Sequence, residues 1–508
     1  MAKCADDRVT QPRVVQDAST RRLPGQWQPV TARLGILMTH KPLLFSAFVM
    51  NTPSHIVHGL WRAPSAKQHR FNELDFWIDI AKTVEKGGFD NLFFADLIGV
   101  YSDHRGSWKD FPRKGLQIPS NDPMVLLSAI ASHTEHLGLA FTASPIQEPP
   151  FNFARRVSTL DHATKGRIGW NVVTSALENS WRNFGRQRLD HDERYRLADE
   201  YLEVAYKLWE GSWDDGAIVN DPIMGVFADP ERIHKIYHNG EYFNVEGPHL
   251  VAPSPQRTPV LFQAGASPTG RDFAARHAEA QFIVCPDPSS AARLIESTRN
   301  LAARYGRRRG DIKFFQGMTF VVGSTDDEAR RREAELESWL DVDGMIAHFG
   351  GMIGVDLGRY EKDTPIDVVQ TESQQASLNW LRESAAGRTP TLGDVVALRA
   401  RSNRIVGTPE RIADALEIWR DAGVDGINVT NSVLPGSFEE FAEHVMPVLR
   451  KRGLARLDWR GTSFRSRLFG HDLLPDRHPG ARYRRAFSST SGPTPTPNDP
   501  ANCDGAHA

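Results

Sequence analysis

Cysteine is nearly absent: of 508 residues only Cys4, Cys285 and Cys503 carry a thiol, and no two stand in a CxxC pair. That excludes a disulfide framework and a cysteine-ligated zinc site, and makes the cytoplasm the expected compartment. An excess of one charge is missing too. With 61 basic and 63 acidic side chains the formal net charge is −2, so neither nucleic acid nor an anionic membrane is attracted by the chain as a whole. Long hydrophobic runs are also lacking. The most apolar early stretch, Gly35 to Met50, is broken by His40, Lys41 and Pro42, which rules out a membrane span or a signal-peptide core. No Gly-x-Gly-x-x-Gly follows an apolar run, so the chain has no dinucleotide fingerprint of its own. No period of 20 to 50 residues recurs. What is present, 40% hydrophobic and 24% charged residues, describes a globular chain whose default partner is a small, roughly neutral molecule.

Four zones follow from composition. Residues 1–34 lack helical or strand periodicity and read as a flexible extension, and 488–508, made of Ser, Thr, Pro, Gly, Asn and Asp, as a disordered tail. Residues 451–487 read as a C-terminal arm that packs on a neighbouring subunit. Between them, 35–450 alternates short apolar runs with amphipathic ones. Eight such runs stand out: Leu44–Asn51, Asn91–Leu97, Leu137–Ser144, Ile168–Ser175, Pro259–Ala264, Gln281–Cys285, Lys313–Val322 and Gly426–Thr430. Helical spacing separates several of them, with a helix from Phe71 stopping at Gly87–Gly88 and another opening at Thr408–Pro409–Glu410. Eight strand–helix units predict an α/β fold, a (β/α)₈ TIM barrel. Two intervals, 211–257 and 323–404, are too long to be plain connections and read as insertions. The second holds the glycine-rich apolar stretch Met345–Gly354, a candidate lid.

In such a barrel the site lies where the strands end. Asn51, His55, Asp96, Thr142, Ser144, Asn171, Thr174 and Ser175 follow the runs there, and lysine and arginine are absent from those ends. After the fifth run, Gly265-Ala-Ser-Pro-Thr-Gly270 is a glycine-bounded turn into a helix, where backbone N–H groups and the hydroxyls of Ser267 and Thr269 suit a phosphate. Arg271-Asp272 in place of Lys-Ser/Thr excludes an NTPase P-loop. His55 and His58, three apart, suit one helical face but lack a third ligand, so no metal site is expected.

The stretches Gly166–Ser175 (GRIGWNVVTS), His55–Arg62, Leu92–Asp96, Gln117–Pro123, Pro248–Pro259, Gln263–Ser267 and His191–Tyr195 together carry a resemblance. In this order they resemble the bacterial-luciferase-like two-component monooxygenases, in the branch with nitrilotriacetate, dibenzothiophene-sulfone and long-chain alkane monooxygenases. The resemblance covers about 44–470. It implies a luciferase-type barrel that takes reduced FMN (FMNH₂) from a separate NAD(P)H:flavin reductase, activates O₂ as a C4a-hydroperoxyflavin, and oxidises a medium-sized organic substrate. Residue by residue it implies flavin contacts at Asp96, Thr142, Ser144, Ser175, Tyr195 and Ser267, and catalytic positions at His55, His348 and Tyr101, with Gln117 lining the pocket. His58 is left to structural hydrogen bonding. A homodimer or homotetramer is implied as well. Thr52, Ala176, Pro149 and Phe151 replace more polar or imidazole-bearing residues of the branch, which predicts a roomier, less polar pocket. The alternatives are a deazaflavin-dependent oxidoreductase on the same barrel, and a flavin-binding subunit that has lost catalysis.

Overall fold

The computed structural model describes residues 41–101, 103–369, 382, 385, 388–401 and 403–488. The extension read at 1–34, and the tail beyond Ser488, lie outside the described residues. Everything below concerns the unit Pro42–Ala508.

Each of the eight apolar runs forms a strand: Leu44–Met50, Asn91–Ala95, Gly138–Ala143, Ile168–Val172, Val260–Gln263, Ala280–Ile283, Lys313–Val322 and Gly426–Thr430. All pair in parallel, first to second through to seventh with eighth, and the eighth returns to the first through Leu44↔Gly426 and Phe48↔Thr430. The sheet is therefore a closed eight-stranded barrel, as the alternation of runs requires. The strands stop one to three residues before several of the apolar runs do. Asn51, Asp96, Ser144, Thr174 and Ser175 thus stand in the loops just past the ladder, whereas Thr142 and Asn171 stay inside it as a register pair.

A ninth strand, Arg404–Gly407, has no counterpart in the sequence reading. The seventh strand is ten residues long, and its inner half is satisfied by the eighth strand. Its outer half, Thr319–Val322, takes Arg404–Gly407 as a parallel partner, because an unpaired strand edge leaves backbone donors and acceptors exposed.

Two apolar layers hold the barrel. Outside, the helices bury a stripe each. Leu74–Gly87 turns Trp77, Ile78, Ala81 and Val84 inward and ends at Gly88 in the left-handed region, φ 84°. It starts later than Phe71 because Gln68–Arg70 forms a separate 3₁₀ turn that Phe71 closes. Inside, Phe48, Phe93, Phe262 and Phe315 fill the lumen with Leu44 and Ala140, each phenyl ring contributing about 2–3 kcal/mol by burial.

The arm read at 451–487 packs on this chain's own barrel. The helix Phe464–Phe469 enters the N-terminal end, where Gly138 and Gly169 leave room for the Phe464 ring, which lies parallel to Phe262. Arg465 is wholly buried, gripping both oxygens of Glu279 at 2.7 and 2.8 Å and donating to the carbonyls of Gln256, Thr258, Pro259 and Asp472. Further out, Arg484 pairs with the buried Glu210 at 2.7 Å. The reason is charge: Glu279 and Glu210 are buried acids that an arginine of the arm neutralises.

The insert at 211–257 forms two short hairpins, Ile218–Asp221 with Val226–Ala228 and His238–Asn239 with Asn244–Val245. The insert at 323–404 carries the helices Asp326–Ser338, Val342–Ile353 and Leu392–Arg401. Met345, Ile346, Phe349 and Ile353 of the middle helix build a small core with Leu357, Ile366, Val369 and Leu392.

Candidate active site

The fifth strand ends at Gln263, and the chain turns through Gly265 into the helix Pro268–His277. Ser267 caps that helix, its Oγ accepting from the Gly270 N–H at 3.0 Å. The turn is tight. A Cβ on Gly270 would come to 2.7 Å from the Tyr195 hydroxyl, and one on Gly265 to 2.9 Å, so only glycine leaves the cradle open at both places. The Tyr195 hydroxyl faces Ser267, Thr174 and Gln263, and burial raises its pKa above that of free tyrosine. It is a neutral donor. Gln263 Oε1 accepts from the Gly265 N–H at 2.6 Å, and Gln281 Nε2 donates to the Gly265 carbonyl at 3.1 Å, which stiffens the turn. His191 Nε2 lies 3.2 Å from Ser267 Oγ while its Nδ1 faces Asp192 at 2.7 Å. Thr269, expected in the cradle, instead donates to Asp192 at 2.7 Å. Its hydroxyl is thus spent on Asp192 and not on the turn.

The neighbouring strand ends present polar atoms with no protein partner among the described residues. Both side-chain atoms of Asn51, the Ser144 hydroxyl and Asn171 Oδ1 are buried and unpartnered, and so is His55 Nδ1. A buried polar atom without a hydrogen bond costs about 1–3 kcal/mol, and several at one rim of a barrel mark a place built to be filled. Thr142 is more committed, donating to the Phe94 carbonyl at 2.9 Å and accepting from Asn171 Nδ2 at 3.0 Å. Asp96 accepts from the N–H of Leu97 at 2.8 Å; burial, and secondarily the charge of Asp122, hold its carboxyl up at about 7. Ser175 sits with φ 48°, its carbonyl accepting from Trp181 Nε1.

Past the first strand the chain from Asn51 to Gly59 runs in turns and bends rather than a helix. His55 and His58 therefore do not share a helical face as their spacing suggested. The His55 ring leans on Phe48, 4.9 Å between centroids, and burial pushes its pKa down to about 3. It is neutral at any ordinary pH. His58 turns the other way, into the helix Val342–Ile353: Ser54 Oγ lies 2.7 Å from its Nδ1, and its Nε2 lies 2.7 Å from Nδ1 of His348. His348 Nε2 is 3.3 Å from the Tyr101 hydroxyl, which donates to Gln117 Oε1 at 2.9 Å, and Gln117 Nε2 donates to the His55 carbonyl at 2.6 Å. Three segments far apart in sequence thus converge on one hydrogen-bonded line. Gly59, φ 98°, allows their approach, since a Cβ there would lie 2.4 Å from the Trp339 carbonyl oxygen.

The predicted residues fall into two groups. Thr142, Ser144, Ser175, Tyr195, Ser267 and Asp96 stand at the C-terminal ends of strands two to five or on the helix beside them, whereas His55 stands in the loop after the first strand, Tyr101 in the loop after the second, and His348 on the helix Val342–Ile353 of the second insert. The sequence reading missed Ser54 as a partner of His58, and His58 as a partner of His348. The spacing of His55 and His58 was the available signal, but the partner of His58 is 290 residues away. Of the positions expected to enlarge the pocket, Thr52 is buried with its hydroxyl donating to the Pro119 carbonyl at 2.8 Å, and Pro149 caps the helix Pro150–Ala163.

A family model described as luciferase-like monooxygenase matches residues 51–426. The long-chain alkane monooxygenase of Geobacillus thermodenitrificans is 44% identical over 458 residues, covering 88% of this chain and 99% of that protein. The dimethyl-sulfide monooxygenase of Hyphomicrobium sulfonivorans is 42% identical over 88% of this chain and 95% of its own length. Among solved structures, a riboflavin lyase with modified FMN and riboflavin superposes with a TM-score of 0.80 at 38% identity, covering 87% of this chain and all of that one.

Proposed function

The chain belongs to the luciferase-like monooxygenase family, and on that footing we propose that it is the FMNH₂-dependent oxygenase component of a two-component system acting on a medium-sized organic substrate. One observation carries the reading. Buried, unpartnered polar atoms of Asn51, Ser144, Asn171 and His55 lie on the same barrel rim as an open, glycine-bounded turn at a helix N-terminus. A flat, polar-edged ring system ending in a phosphate satisfies both features, and no fully apolar ligand does.

In this reading the phosphate lies at the Ser267 turn, where the positive N-terminal end of the helix, the Ser267 hydroxyl and the neutral Tyr195 hydroxyl favour an anion. Ser144 and Asn171, with Asp96, Thr142 and Ser175 beside them, hold the polar edge of the ring. Reduced flavin, when bound, supplies the two electrons that activate O₂ for insertion into the substrate. His55 offers a neutral imidazole that can donate or accept a hydrogen bond without bringing a charge into the site. The helix Val342–Ile353 shuts the side above His55 and Tyr101, excluding water that would waste the activated oxygen. Electrons come from a separate NAD(P)H:flavin reductase, since the sequence carries no dinucleotide fingerprint.

The test is oxygen uptake. Purified protein with FMN and NADH should be inert, and addition of a generic flavin reductase should start uptake that yields oxygenated product with a competent substrate. NADH oxidation by the chain alone, or substrate oxidation by a deazaflavin without oxygen, would refute it.

A further inference from the structure

The hydrogen bonds between Ser54 and His55 determine where every proton sits. Gln117 is the anchor: only its amide nitrogen can donate to the His55 carbonyl at 2.6 Å, so its oxygen faces Tyr101 and the phenol must donate to it. The phenol oxygen then offers a lone pair to His348 Nε2, which must carry hydrogen for that contact to be a bond. A neutral imidazole with hydrogen on Nε2 has a bare Nδ1. His58 Nε2, 2.7 Å away, is therefore the donor, and the bare Nδ1 of His58 accepts from the Ser54 hydroxyl. With both imidazoles neutral, each assignment fixes the next, and all five contacts are satisfied.

His58 is held for this purpose from its backbone as well. Its N–H points at Met345 Sδ at 3.3 Å and its carbonyl accepts from the Asp341 N–H at 3.0 Å, both at the start of the helix that carries His348. The two imidazoles cross nearly edge-on, 82° between planes. A ring that only filled space would not need the hydroxyl behind it or the bare nitrogen in front of it.

We propose that His58 is a positioning residue for oxygenation: as donor to His348 Nδ1 it locks His348 in the Nε2–H tautomer and aims that N–H toward Tyr101. The proposal rests on the monooxygenase reading for its effect on turnover, but its structural half stands without flavin. In the ligand-free protein labelled with ¹⁵N-histidine, the His348 signals, identified by their loss in His348→Gln, should show a protonated Nε2 and a bare Nδ1. His58→Phe keeps the bulk and removes the donor; it should spread His348 over both tautomers and raise peroxide release per reduced FMN about tenfold, less than the ~10²–10⁴-fold of a group that transfers the proton itself. His58→Gln restores an amide donor and should recover both. Reduced-FMN affinity should not change in either variant, and their melting temperatures identify any misfolded protein.

A protonated His348 Nδ1 in the wild type would overturn the proposal. So would a folded His58→Phe with an unchanged tautomer, or a folded His58→Gln that tracks His58→Phe. If the wild type shows the expected tautomer but no flavin-dependent oxygen uptake, the functional reading fails and the assignment of His58 to His348 stands.

Discussion

Ser267→Asp separates helix capping from phosphate binding, because the two roles respond to it in opposite ways. Ser267 Oγ accepts from the Gly270 N–H, and aspartate caps a helix as well as serine does. Stability should therefore shift by no more than about 0.5 kcal/mol, the usual range for a change that breaks no buried contact. A phosphate at the same turn would meet a carboxylate about 4 Å away, and at an effective dielectric of about 20 each pair of like unit charges costs about 4 kcal/mol. Partial exposure of the position, salt, and His191 at 3.2 Å offset part of that. We take about 2 kcal/mol as the net loss, which is about thirtyfold in Kd. Anaerobic titration with reduced FMN measures it, and reduced riboflavin, with the same ring and no phosphate, is the control. The variant should bind FMN about thirtyfold more weakly and riboflavin as the wild type does. Unchanged FMN binding, or an equal loss with riboflavin, would remove the phosphate from the Ser267 turn.

Two further outcomes follow from buried charges. Asp96 has a folded pKa of about 7 against an ordinary value of 3.8, and a carboxyl raised in the folded state is destabilising as pH climbs from the unfolded value through the folded one, by up to about 4 kcal/mol above pH 7. Asp96→Asn, which keeps an acceptor for the Leu97 N–H, should melt higher than wild type at pH 8 and nearly equal to it at pH 4; equal melting at both would show the carboxyl is not strained. Arg465→Met should cost about 3–5 kcal/mol by stranding Glu279 without its partner, read as a lower urea midpoint, and Arg465→Met with Glu279→Gln should recover part of it; a single variant as stable as wild type would show that the arm does not close the barrel.

Much of the barrel is written locally. Alternation of apolar runs and helical stripes, the Thr408–Pro409 and Gly88 signals, and the placement of hydroxyls and amides just past each run are properties of neighbouring residues, so they are legible along the chain. The Gly265–Gly270 turn is local too, and so is Ser267 as its cap. Thr269 was misplaced because its orientation is set by Asp192, which lies 77 residues earlier in the chain. That the arm at 451–487 packs on its own barrel was illegible for the same kind of reason: nothing near Arg465 reveals that Glu279, 186 residues earlier, is buried and needs a cation.

By itself the sequence determined the eight strands, their order, and which polar side chains stand at the strand ends, because periodicity and turn chemistry act over a few residues. Only the tertiary structure decided which of those side chains are spent and which are open. It pairs the outer edge of the seventh strand with Arg404–Gly407, commits Thr142 to the Phe94 carbonyl, leaves Ser144 and Asn51 unpartnered, and joins His58 to His348 across 290 residues. A hydrogen bond is short-ranged and directional, so its partner depends on where folding brings two segments together and not on how far apart they lie along the chain.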